Sequence, residues 1–252
     1  MVGYADLAKL NTFTMDDVCN LVGSEKTASS LVRRLSKKGL VRRIRNNLYT
    51  CVNVADGQPV ASKYHIACAI NDTAYLSHHS AFEYMGIANQ VFYEMYVSSE
   101  KRFSDFEFDG ITYKYISSNL QTGITTPKNT QGIRVTVLER TVVDSIKDFE
   151  KIGGLEELLN CIGAAPYLSE NEIIKYLDSY NQQFLYQKTG FLLEQYKSQL
   201  RLSDAFILYC KNKIGKSTRY LTKESTKYLS EWRLVVSEDL FQMTEQGGQP
   251  LV

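Results

Sequence analysis

No apolar run in this 252-residue chain approaches the roughly 18–20 residues of a membrane-spanning helix, so a transmembrane segment is not expected. Five cysteines (Cys19, Cys51, Cys68, Cys161 and Cys210) lie far apart, with no CxxC and no Cys/His spacing, which argues against a disulfide framework and a zinc site. They read as reduced and mostly buried. Neither GxxxxGK[ST] nor GxGxxG occurs, so the chain carries no phosphate-cradling glycine loop, and internal repeats and low-complexity tracts are lacking too. The opening MVGYADLAKLNTF places Asp6 where a secretory signal would be basic and then apolar. The expectation is a cytoplasmic protein without cofactor or metal.

What is present is an uneven distribution of charge. Residues 1–50 hold nine lysines and arginines against four acids, a balance of +5, while the remainder holds twenty basic and twenty-four acidic residues, −4. Such a division suggests a nucleic-acid module joined to a part that does other work. The expected fold class is α+β, with an N-terminal winged helix-turn-helix over 1–54 and a second domain over 55–252, mixed α/β to about 150 and helical over 151–252.

The local signals behind that expectation begin at the N-terminus, where 4–10 could form a short helix. Thr14 caps a helix stopped near Gly23, and Ser24 caps a second helix ending at Gly39. Next come LVRRI and LYTCV, β-rich runs separated by Arg45, Asn46 and Asn47, which read as a hairpin. On a helical wheel Ala28, Leu31, Val32 and Leu35 form one apolar stripe about 100° wide. Lys26, Ser30, Arg33 and Lys37 fall opposite it. From Val22 to Arg45 there are eight basic residues and the single acid Glu25, a density that repels itself unless a polyanion relieves it.

Arg33 is the candidate for a bidentate guanine contact, with Ser29 and Ser30 beside it, while Lys26, Arg34, Lys37 and Lys38 suit phosphates. Arg42, Arg43 and Arg45, with Asn46 and Asn47 at the tip, suit the minor groove or its phosphates. These twelve residues are the expected DNA-binding set; no catalytic residue is assigned.

Farther along, helices are expected over 60–70 and 77–87, a strand over 91–97, a hairpin around Asp109-Gly110, and a strand over 133–138 leading into a helix. Beyond Gly153 the reading is helical throughout: 155–162, then 169–180 opened by a Ser169…Glu172 capping box, then segments around Leu192 and Phe206. The tail after Asp239 is expected to fray. His78-His79 and His65 read as structural, and Arg140 with Asp144 as a helix-surface pair that orients the helix on the sheet. The late tyrosines (Tyr176, Tyr180, Tyr186, Tyr196, Tyr209, Tyr220 and Tyr228) fit an interface or a core equally. Asp105, Glu107, Asp109 and Lys114 leave open a winged-helix-targeted, metal-dependent nuclease. A ligand-responsive regulator without a toxin partner is a further alternative.

The runs SLVRRLSKKGLVRRIRNNLYTCV, YLSHHSAFEYMGI and VTVLERTVVDSI, in that order, resemble the AbiEi antitoxins of bacterial abortive-infection systems over about residues 5–150. That resemblance implies a transcriptional autorepressor of a phage-defence toxin-antitoxin operon. It would bind promoter inverted repeats through the winged helix, and its C-terminal domain would counter a nucleotidyltransferase toxin without a stable complex. The DNA-binding elements carry over onto Lys26–Lys38 and Arg42–Asn47. Where the family often has glycine at the wing tip, Asn47 stands here, and asparagine can adopt the same backbone.

Overall fold

Residues 2–240 are described by the structure, a computed structural model. The fold is α+β. In chain order the elements are α1 (Tyr4–Ala8), β1 (Thr12–Phe13), α2 (Met15–Val22), α3 (Glu25–Lys37), β2 (Val41–Arg45), β3 (Leu48–Cys51), α4 (Lys63–Ala69), β4 (Tyr75–Leu76) and α5 (His78–Met85). Then come β5 (Glu94–Ser99), β6 (Phe106–Phe108), β7 (Ile111–Ser117), β8 (Ile124–Thr125), β9 (Val135–Thr136) and α6 (Leu138–Lys147), followed by a 3-10 turn at Phe149–Ile152. The rest comprises α7 (Leu155–Ala164), α8 (Glu170–Tyr180), α9 (Gln183–Gln195), α10 (Lys197–Leu200), α11 (Asp204–Lys213), β10 (Arg219–Tyr220), β11 (Lys227–Leu229) and β12 (Leu234–Val236). None of these helices is long and apolar enough to cross a membrane.

The chain divides into two units, Met1–Leu76 with Phe92–Val135, and Ser77–Val91 with Thr136–Val252. Within the first, Leu7, Phe13, Val18, Ala28, Leu31, Val32, Leu35, Val41 and Cys51 form a hydrophobic cluster of their own. β1, β3 and β2 pair antiparallel in that order. A larger sheet has the order β6-β7-β5-β4-β9-β8, with β5 and β7 parallel over six residues and β6 and β7 joined antiparallel. The β6–β7 turn is Asp109-Gly110, both at positive φ (55° and 76°), the conformation that a two-residue hairpin turn demands. His65 in α4 links Ser62 (Nδ1, 2.8 Å) to the Thr130 carbonyl (Nε2, 3.1 Å), a structural role as expected.

The second unit is built on one continuous core running from Phe82 through Val142, Leu158, Ile173, Leu192 and Phe206 to Trp232 and Val236. Tyr176, Tyr186 and Tyr196 belong to that core, whereas Tyr220 and Tyr228 are exposed. An all-helical C-terminal part is not what forms: β10, β12 and β11 make a small sheet in that order. These strands are two or three residues long, too short to display a period-2 pattern. A close approach seats the sheet. A Cβ on Gly190 of α9 would stand 2.6 Å from a Trp232 ring carbon, and Trp232 donates from Nε1 to Glu194 at 2.7 Å.

Buried polar pairs also differ from expectation. Arg140 and Asp144, read as a surface pair, are almost wholly buried, with Nε donating to Oδ1 at 2.8 Å and the Tyr180 hydroxyl donating to the same oxygen at 2.6 Å. The capping box at Ser169 does not close: Ser169 makes no side-chain cap bond, and Glu172 accepts instead from Lys175 and Tyr176. His79 is fully buried with its Nε2 3.3 Å from Glu157 Oε1, an oxygen that also accepts the backbone N–H groups of Asn89 and Gln90. Burial holds the His79 imidazole below its ordinary pKa, while the Glu157 charge pulls the other way. His79 is thus set against Glu157 inside the second unit, while His78 has its Nδ1 2.9 Å from the Ser77 hydroxyl. All five cysteines are free, four of them buried and Cys19 half-buried. The expected fraying after Asp239 falls mostly on residues 241–252, outside those described.

Candidate nucleic-acid interface

Local sequence explains how α2 and α3 are set. Thr14 and Asp17 cap α2 reciprocally: the Thr14 hydroxyl accepts from Asp17 N at 3.2 Å, and the Asp17 carboxylate accepts from Thr14 N at 2.7 Å. Gly23 ends the helix at φ 76°. Ser24 occupies the N-cap of α3 in extended backbone, but its side chain makes no cap bond. At the other end Gly39 takes φ 71°, and Leu40 N returns to the Leu35 carbonyl at 3.0 Å.

The faces of α3 fall as the wheel placed them. Ala28, Leu31, Val32 and Leu35 are buried. Lys26, Ser29, Ser30, Arg33, Arg34, Lys37 and Lys38 are all exposed. Among the described residues no carboxylate lies within 4.0 Å of any of these five cations. Two shallow depressions border the helix, one of about 700 Å³ lined by Asp16, Lys26, Ser29, Ser30 and Arg33, the other of about 580 Å³ lined by Lys26, Ser30 and Arg34. Five exposed positive charges on α3 and its C-cap, uncompensated among the described residues, concentrate a field that a polyanion can satisfy.

The hairpin behind α3 divides its residues differently. Asn47 takes the left-handed conformation (φ 53°), and the register slips by one residue between Arg43 and Arg45. This is the bulged turn that glycine or asparagine permits. Asn47 also has a structural partner, since its Oδ1 accepts the Met15 backbone N–H at 3.0 Å. Arg43, exposed, donates to the Arg45 carbonyl and to Asn46 Oδ1, so it lies folded along the tip.

Arg42 and Arg45 turn toward the β6–β7 region of the same unit. Arg42 pairs with Asp109 at 2.7 Å and lies over the Phe108 ring at 4.6 Å. Arg45 sits over Phe106 at 5.1 Å and Phe103 at 5.7 Å. The sequence carried no signal for these contacts, because the partners stand some sixty residues away. Its one hint was the alternation of phenylalanine and acid at 105–109.

Three of the four residues of the nuclease alternative are engaged separately, and Glu107 is exposed. Asp105 accepts the Tyr115 N–H at 2.9 Å, Asp109 holds Arg42, and Lys114 pairs with Glu94 at 2.5 Å. Among the described residues no three His, Cys, Asp or Glu side chains are grouped to hold a metal ion.

No family model and no curated protein matches this chain. Among solved structures it is similar to the RV2827C protein from Mycobacterium tuberculosis, with a TM-score of 0.67 and 15% identity, covering 98% of this chain and 93% of that one. At that identity the likeness is one of fold.

Proposed function

We propose that residues 1–54 act as a winged helix-turn-helix that binds double-stranded DNA, with α3 in the major groove and the β2–β3 hairpin as its wing. The observation that carries this reading is the exposed side of α3 and its C-cap: Lys26, Arg33 and Lys37 stand opposite the buried apolar stripe, Arg34 and Lys38 flank it, and all five are exposed with no carboxylate within 4.0 Å among the described residues. Arg33 would read guanine, Lys26, Arg34, Lys37 and Lys38 would hold phosphates, and two copies would occupy the half-sites of an inverted repeat. Together with the resemblance to the AbiEi antitoxins, this makes the protein a cytoplasmic autorepressor and antitoxin, not an enzyme, whose second part counters a nucleotidyltransferase toxin without a stable complex.

The test pairs footprinting on the DNA upstream of its own reading frame with rescue of cells expressing the neighbouring gene. Protection of an inverted repeat and rescue of growth are expected. Failure of the footprint removes the repressor, and failure of rescue removes the antitoxin.

The wing supports a smaller share of the binding than its arginine content suggests, because Asp109 competes with phosphate for Arg42. Asp109→Asn keeps a residue that tolerates positive φ while removing the charge. The variant is expected to bind duplex DNA a few-fold more tightly, with log K against log salt steeper by about 1, as one further phosphate contact gives. An unchanged slope would show that Arg42 does not reach DNA.

A further inference from the structure

The second unit has a basic stretch that its overall charge conceals. Residues 211–233 contain seven lysines and arginines and only two acids, Glu224 and Glu231, a local balance of +5 within a part of the chain that is acidic overall. Some of this charge is already used: Lys211 pairs with Glu194 and Glu231, and Arg233 donates to the Gly215 carbonyl. Lys216 and Lys223 are exposed, with no carboxylate within 4.0 Å among the described residues.

The same stretch carries two exposed aromatic rings on one sheet face. Tyr220 of β10 and Tyr228 of β11 are both register partners of Val235 in the central strand β12, so all three side chains project from the same side. Leu234 and Val236 point the other way and are wholly buried in the core. The tyrosines are 63% and 53% exposed, although tyrosines nearby in the chain, such as Tyr186 and Tyr196, are buried. They stand two strand spacings apart, about 9–10 Å, enough for each ring to take a base of its own. Lys223 and Tyr220 also border a groove of about 810 Å³ that carries Glu150, Glu156 and Glu224, so the groove itself does not suit a polyanion and the binding face is the tyrosine side of the sheet.

We propose that this face is a second nucleic-acid site, specific for single strands, in which Tyr220 and Tyr228 each stack on one base and Lys216 and Lys223 hold the backbone. Exposed rings on either side of a buried Val235, with unpaired cations in the same stretch, match the chemistry of an unpaired strand, whose bases expose their faces. A duplex keeps those faces stacked inside, so the rings have nothing to grip. The site is independent of α3 and does not rest on the operator-binding reading.

The experiment is fluorescence anisotropy on the full chain with labelled twelve-nucleotide oligouridylate and oligodeoxyuridylate, and with a twelve-base-pair duplex as the contrasting probe. The single strands are expected to bind, and a Lys26→Gln/Arg33→Gln/Lys37→Gln variant should still bind them. Tyr220→Ala and Tyr228→Ala should each weaken single-strand binding by about ten-fold or more, with duplex binding unchanged. Tyr220→Phe/Tyr228→Phe, which keeps the rings, should restore it; circular dichroism confirms that each variant folds. Tighter binding of either strand identifies the sugar while supporting the site.

The proposal is overturned if neither strand binds, if both alanine variants bind like the parent, or if the α3 variant loses the single strand. It is also overturned if sedimentation shows a dimer that the tyrosine variants dissolve, because the face would then join two copies of the chain.

Discussion

Replacing Lys26, Arg33 and Lys37 by glutamine is expected to lower affinity for duplex DNA by about 10²–10³-fold near 0.15 M salt, with little change in stability. Removing the two phosphate-neutralising lysines also flattens the salt dependence, by about 0.9 per charge, so log K against log salt should become shallower by about 2, while loss of the Arg33 guanine contact lowers affinity without adding to that change. The side chains are exposed and, among the described residues, have no carboxylate within 4.0 Å, while Ala28, Leu31, Val32 and Leu35 on the other side remain in place. Substitutions of that kind ordinarily shift stability by no more than about 0.5 kcal/mol. Glutamine keeps helix propensity near that of lysine and arginine, which isolates the charge. Gel-shift titration at two salt concentrations, beside a denaturant melt of the same variant, separates impaired binding from impaired folding.

Arg140→Ala is expected to be the most damaging single change in the second unit. Arg140 is wholly buried, its guanidinium against Asp144 at 2.8 Å and the Tyr180 hydroxyl at 3.1 Å, with the Tyr180 ring 5.6 Å away. Removing the cation leaves the Asp144 carboxylate 3% exposed without its charge partner, a situation that costs about 3–5 kcal/mol. For a chain of this size the corresponding drop in melting temperature is of order 10 °C. Arg140→Met/Asp144→Leu, which removes both charges and keeps the volume, should recover most of that loss. Recovery distinguishes a stranded charge from a missing packing element: if the double variant is as unstable as Arg140→Ala, the arginine acts through its packing on Tyr176 and Tyr180 instead.

The first fifty residues were the most legible because their structure is local. Thr14, Gly23 and Gly39 terminate helices through interactions within a few residues, and the apolar spacing of α3 is decided by its own periodicity. The Asn46-Asn47 turn was readable for the same reason. Long-range partners were not. Arg42 looks like a free wing cation until β6–β7 brings Asp109 to it, and Arg140 looks like a surface residue until α8 supplies Tyr180.

The small C-terminal sheet was missed on length. RY, KYL and LVV are too brief to show alternation, and only their pairing around Val235 places Tyr220 and Tyr228 on one face. The overall charge of the later chain concealed the basic stretch at 211–233 in the same way, since acids elsewhere cancel it. Among the expected DNA-binding residues, those on α3 stand exposed and unpaired. Arg42, Arg45 and Asn47 have partners within the protein.

The salt dependence of duplex binding by the unaltered protein tests the central claim most directly. If Lys26, Arg34, Lys37 and Lys38 each hold a phosphate, and Arg43 of the β2–β3 hairpin adds one, four or five phosphate neutralisations give log K against log salt a slope of about −4. A slope near −4 that moves toward about −2 in the α3 variant is the predicted result. A slope close to zero, or one that the α3 variant leaves unchanged, would contradict the assignment of DNA binding to this helix.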